Sequence, residues 1–221
     1  MQPIFIYLIK VSVSLAVVFL FYKLLLEHLT FYTWNRWYLL VYTLLSFFIP
    51  FINITNVLKQ NNWQDYKAIQ AIPEVNNLPQ VRSVTTALSL PAPYSASDLL
   101  LFIFIAGAIV MLTRFILQWI SFLKIKRKAR IFLKDTIILY DVSDNIVPFS
   151  FGSSVFINWR LHNDEELKEI LRHEYVHVRQ KHTIDIVWAE VLCLLNWYNP
   201  FAWLLRYHIR QNLEFIADSN V

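Results

Sequence analysis

Hydrophobic positions fall first in long runs and later in short periodic ones, with the change near residue 124. Three apolar stretches precede it: about residues 4–26, interrupted by Lys10 and closed by Lys23; residues 37–54, which hold no charge; and about 96–123, with Arg114 inside it. Roughly 20 apolar residues of helix cross a bilayer core of ~30 Å, so each stretch predicts a transmembrane helix. The first lacks a small-residue cleavage site and reads as a retained helix, not a signal peptide. Arg114 has a side chain long enough to snorkel to the interface. Between the second and third stretches, residues 55–97 hold Pro73, Pro79, Pro91 and Pro93 among many Asn, Gln and Ser residues, which predicts an irregular, solvent-facing loop.

Past residue 124 the period shortens. Thr136 to Val142 and Ser153 to Trp159 are rich in β-branched and aromatic residues and flank the turn residues Ser143-Asp144-Asn145, which predicts a short antiparallel sheet. Asn163 with Glu166 three residues later has capping-box spacing and opens a helix reaching about Lys181. A second helix is predicted from about Thr183 to Trp197, and a third from Pro200 to the end. Residues 186–205 are nearly apolar enough for another span. Asp185, Glu190, Asn196, Asn199 and Pro200 interrupt them, so they read as a helical hairpin packed on the site or lying at the membrane surface, not as a full crossing.

Composition supports a membrane protein: 57% of the 221 residues are hydrophobic and 16% charged, against roughly a quarter charged in soluble proteins. The net charge of +4 matters through its placement. Lys124, Lys126, Arg127, Lys128 and Arg130 directly follow an apolar stretch, which marks a cytoplasmic flank more than a nucleic-acid site. That orientation puts the 55–97 loop and the N-terminus outside, with Lys23 and Arg36 on the inner side. Cys193 is the single cysteine, so an intrachain disulfide and a cysteine-based metal cluster are both excluded.

The candidate chemistry is His173-Glu174-Tyr175-Val176-His177. On a helix, residues four apart share a face, so His173 and His177 can offer imidazole nitrogens to one Zn2+ ion while Glu174 serves as general base. A third ligand leaves one position open for water, and Glu214 is the candidate; Asp218, one turn later, can hydrogen-bond the far nitrogen of a ligand histidine. His182 and His208 read as packing or surface histidines more than ligands, and Arg179, Asp185 and Glu190 as a polar layer or as surface charges. Ser121-x-x-Lys124 matches an acylase pattern with no partner motif and reads as coincidence.

Three apolar stretches, then Pro148-Phe149-Ser150-Phe151-Gly152, His173-Glu174-x-x-His177, Asn199-Pro200-Phe201-Ala202-Trp203 and Glu214-x-x-Ala217-Asp218 follow one another in order. In this the chain resembles the integral-membrane metallopeptidases of the BlaR/MecR antibiotic-sensor type. The resemblance implies a membrane domain of three transmembrane helices over residues 1–123 and a small α+β, gluzincin-like zinc domain over 124–221. It implies His173, His177 and Glu214 as zinc ligands, Glu174 as catalytic base, and a place in the bacterial inner membrane with the peptidase domain cytoplasmic. It further implies regulated cleavage of a transcriptional repressor or of the chain itself, with the lipid bilayer as partner and no direct contact with nucleic acid. A homodimer stays open. Family members continue into a fourth membrane helix and an outer sensor domain, so the chain reads as part of a longer receptor, or else its sensor is a separate protein. Without further acylase motifs, β-lactam sensing is not carried over. Two other readings compete: a quality-control or prenyl-protein-type membrane peptidase, and a non-catalytic, metal-stabilised signalling scaffold.

Overall fold

The computed structural model describes residues 3–51, 96–134 and 137–220, so nearly all of the predicted outer loop lies outside the described residues. Helix α1 (Pro3–Phe21) continues through a π-helical turn at Tyr22–Leu26, and helix α3 (Ala96–Lys128) carries the third apolar stretch on into the basic run. Among the described residues, Ile4–Leu26 and Asp98–Lys128 are the two helices long and apolar enough to cross a membrane.

The second predicted stretch folds differently from expectation. Helix α2 (Tyr32–Leu45) has 14 residues, about 21 Å of rise and short of a full hydrocarbon layer. It starts early because Asn35, buried in its first turn, donates to the carbonyls of Leu26 and Leu29 that end the preceding segment. It then gives way to turns and a 3-10 helix at Ile49–Phe51 that contains Pro50.

Four strands follow: β1 (Arg130–Lys134), β2 (Ile138–Asp141), β3 (Phe149–Phe151) and β4 (Ser154–Ile157), in the order β1-β2-β4-β3. The two strands expected from sequence correspond to β2 and β4. They pair in parallel, with Ile138 opposite Ser154 and Asp141 opposite Ile157, which corrects the antiparallel expectation. The reason is β3. A turn at Gly152, whose φ of 62° suits a residue without a Cβ, folds β3 back antiparallel onto β4. The return stroke is thereby used, and β4 runs the same way as β2. Tyr140, Phe156 and Phe149 stack across the three strands at 4.8 and 4.9 Å between centroids.

Helix α4 (Asp164–Arg179) starts at the expected capping box, with Asn163 accepting from the Glu165 and Glu166 amides and Glu166 reaching back to the Asn163 amide. A left-handed Lys181 (φ 56°) turns the chain into helix α5 (His182–Leu195). Asn199 caps helix α6 (Pro200–Asp218), whose first position suits proline because no helical partner awaits its missing N–H. The main apolar core joins Val11, Leu15 and Val18 of α1 and Leu39 of α2 to Val176, Leu192, Leu205, Leu213 and Ile216. It therefore draws on both sides of residue 124. Helix α3 stands outside this core. It touches the turn after α5 through Phe104 and through Gly107, where the Trp197 ring leaves no room for a Cβ.

Candidate metal centre

Helix α4 places His173 and His177 one turn apart, and the turn at Asn196–Asn199 brings α6 back so that Glu214 meets both. The three ligand atoms form a triangle: His173 Nε2 to His177 Nε2 is 3.1 Å, His173 Nε2 to Glu214 Oε2 is 3.3 Å, and His177 Nε2 to Glu214 Oε2 is 3.7 Å. A tetrahedral ion with N and O ligands at about 2.1 Å sets those atoms about 3.4 Å apart. The observed edges bracket that value, so these residues form a group that can hold a metal ion. The donor set, two imidazoles and one carboxylate with no thiolate, fits zinc.

Both imidazoles also present the correct tautomer. His173 Nδ1 lies 3.1 Å from Asp218 Oδ1; a carboxylate only accepts, so the proton sits on Nδ1 and the Nε2 lone pair faces the centre. For His177 the same result comes through a chain of three partners. The guanidinium of Arg36 on α2 donates to Gln180, through Nη2 to the backbone oxygen at 2.9 Å and through Nη1 to Oε1 at 3.3 Å. Donors are all that a guanidinium offers, so this contact fixes the amide oxygen towards Arg36. That Gln180 Oε1 also meets His182 Nε2 at 3.3 Å, which must then carry a proton. His182 Nδ1 is left as an acceptor, 2.8 Å from His177 Nδ1, and the proton between them belongs to His177. His177 Nε2 thus keeps its lone pair for the centre.

Electrostatics agree with these assignments. Burial pushes the His182 imidazole down to about 3, and the neighbouring His177 and Arg36 add to the shift, so the ring stays neutral. Contact with the His177 ring holds the Glu214 carboxyl below its usual range, against the opposing effect of burial. Arg36 Nε pairs with the buried Asp185 carboxylate at 2.7 Å. Glu174 is buried at the floor of a cavity of about 450 Å³ lined by Val147, Pro148, Glu169, Ile170, His173 and Asp218.

All five residues singled out from sequence, His173, Glu174, His177, Glu214 and Asp218, come together here. Two further expectations change. His182 is not a packing histidine but the hydrogen-bond partner of His177. Asp185 belongs to a polar layer behind the site, whereas Glu190 pairs elsewhere with Arg206 and Arg210. His208 packs between Phe19 and Tyr22, away from the three ligand atoms. Sequence reasoning missed Arg36 and Gln180. The available signal was Asp185 itself: a carboxylate within an apolar helix requires a buried counter-charge, and Arg36 stands close to an apolar stretch.

A mostly helical unit with a small mixed sheet and a His-His-Glu centre has the build of a metallopeptidase. The sequence model of BlaR1 peptidase M56 matches residues 4–221, and the chain belongs to that family of metallopeptidases. Among characterised proteins it is similar to the Regulatory protein BlaR1 of Staphylococcus aureus, with 25% identity over 246 residues. The match covers 96% of this chain and 41% of that protein, so the chain spans about two fifths of its relative's length.

Proposed function

We propose that the chain is a membrane-bound zinc endopeptidase whose cleavage is regulated by a signal. The carrying observation is the His173–His177–Glu214 triangle with Glu174 buried beside it at the floor of an open cavity. When bound, zinc supplies Lewis acidity to a scissile carbonyl and to the attacking water. The Glu174 carboxylate takes the proton of that water and returns it to the leaving amine. Asp218 and His182 hold the two imidazoles in the tautomer that keeps Nε2 unprotonated. Strand β3 is an edge of the sheet and follows directly on the cavity residues Val147 and Pro148, so an extended substrate can add to it as a further strand.

Residues 1–123 act as the membrane domain and 124–221 as the peptidase domain. The lysines and arginines at the C-terminal end of α3, together with Lys23 and Arg36, lie at the end of the helices that carries the site, which supports a cytoplasmic placement with the N-terminus outside. Regulation is the reading suggested by the regulatory relative. The substrate is then the chain itself or a transcriptional repressor, and the bond from Arg36 on α2 to the ligand helix offers a physical link between membrane helices and site.

The test is Glu174→Gln in the purified chain in lipid. It is expected to retain about one zinc per chain, the count set by a single three-ligand site, while cleavage is lost. Cleavage surviving in the zinc-loaded variant would sink this mechanism. Orientation is tested separately by cysteine accessibility: labelling at position 130 from outside intact cells, and none at position 76, would reverse it.

A further inference from the structure

The α5–α6 hairpin was expected to pack on the site or lie at the membrane surface, without a full crossing, because polar residues interrupt it. In the structure those residues all point inward. Glu190 Oε1 accepts from Arg206 Nε at 2.8 Å and from Arg210 Nη2 at 2.7 Å, and Asn196 and Asn199 are buried. Between Ile186 and Tyr207 the exposed residues are Leu195, Pro200, Leu204 and Tyr207, none of them charged.

Its depth is set by contacts with the two long apolar helices. At the turn, the Tyr198 hydroxyl donates to the Leu8 carbonyl at 3.4 Å, and Phe104 of α3 meets the Trp197 and Tyr198 rings. Leu8 is four residues, about 6 Å of rise, from the Ile4 end of the first span. Farther along α6, His208 packs on Phe19 and Tyr22 near the other end. The hairpin therefore runs beside α1 over most of that span, with its turn at the end remote from the site.

A turn at such depth is stable only if its backbone groups find partners within the protein. Several of those in this turn do. Asn196 N–H donates to Leu192 O and Asn199 N–H to Asn196 O. Trp197 O accepts from Trp203 Nε1, and Phe201 N–H donates to Asn199 Oδ1.

We propose that Ile186–Tyr207 is a re-entrant segment inserted in the bilayer beside α1 and α3, with lipid acyl chains covering its outer face. This rests on the reading of α1 and α3 as membrane spans. The occupant follows from continuity, because Leu195 and Leu204 are exposed apolar residues on either side of a turn that Phe104 and Gly107 of α3 touch, and Ile109 and Val110 of α3 are exposed and apolar as well.

The test is an environment-sensitive fluorophore attached to single cysteines in phosphatidylcholine vesicles containing acyl-chain nitroxide lipid. The positions are Leu195→Cys and Leu204→Cys, with Val110→Cys as the span control and Lys168→Cys as the aqueous control. Wild type is the labelling blank, since its one cysteine is buried. Labels at 195 and 204 should show blue-shifted emission and quenching equal to that at 110, with no quenching at 168. If 195 and 204 match 168 while 110 is quenched, the re-entrant segment is overturned and the membrane reading stands. If 110 is also unquenched, both fall.

Discussion

His173 and His177 stand one turn apart on α4, yet opposite surroundings hold them. His173 is on the open rim: its partner Asp218 is 67% exposed and Glu214 57% exposed, and the cavity opens beside them. His177 is on the inner wall, buried, and held by the fully buried His182, which rests on Gln180 and Arg36. Water can replace a missing partner on the rim at little cost. In the wall it cannot, because a buried polar group without a partner keeps its full desolvation penalty. One histidine is therefore adjustable and the other fixed, and the fixed one is tied to α2.

The largest expected effect is common to both sides and sets the scale. Glu174→Gln should lower cleavage by about 10²–10⁴-fold, the usual contribution of a positioned general base, with metal content unchanged. Next comes the wall. Arg36→Met leaves Asp185 buried without a counter-charge, and breaking a pair of this kind costs about 3–5 kcal/mol, measurable as a loss of thermal stability in detergent or lipid. The double variant Arg36→Met/Asp185→Leu removes both charges and should recover most of that stability. Its metal affinity should stay low, because Gln180 Oε1 remains unanchored. Full recovery of metal binding along with stability would show that Arg36 serves folding alone, and the comparison of wall with rim would lose its basis.

What the sequence revealed and what it hid divide along the same line. His173, Glu174, His177, Glu214 and Asp218 were legible because helical spacing of four puts ligands and partner on one face, a local rule. The capping box at Asn163 and the stop at Asn199-Pro200 were local too. The wall was not. Arg36 lies 144 residues before Gln180 and read only as a positive flank, and His182 gave no sign that its ring would turn to His177. Strand direction failed for a related reason: β2 and β4 were each visible, but their parallel pairing depends on the three-residue β3 between them. The hairpin hid its contacts in the opposite sense. Glu190, Asn196 and Asn199 looked like breaks in an apolar run because a sequence does not show that Glu190 meets two arginines and that both asparagines are buried.

Two smaller effects complete the ranking and expose it to failure. His182→Phe keeps the volume of the wall but removes the acceptor for His177 Nδ1, and loss of such a partner typically costs 10–100-fold in metal affinity. Competition with a graded series of chelators would measure it. Asp218→Asn acts on the rim, where the amide oxygen can turn to His173 Nδ1 and solvent reaches the same position. Its expected cost is about tenfold or less, the lower end of that range. If Asp218→Asn equals or exceeds His182→Phe, the rim is as rigid as the wall and exposure is not what separates the two ligands. If the predicted order holds, metal affinity is governed from the side that contacts α2, and a displacement of α2 by about the length of one hydrogen bond, roughly 3 Å, suffices to release His177 while His173 keeps its partner.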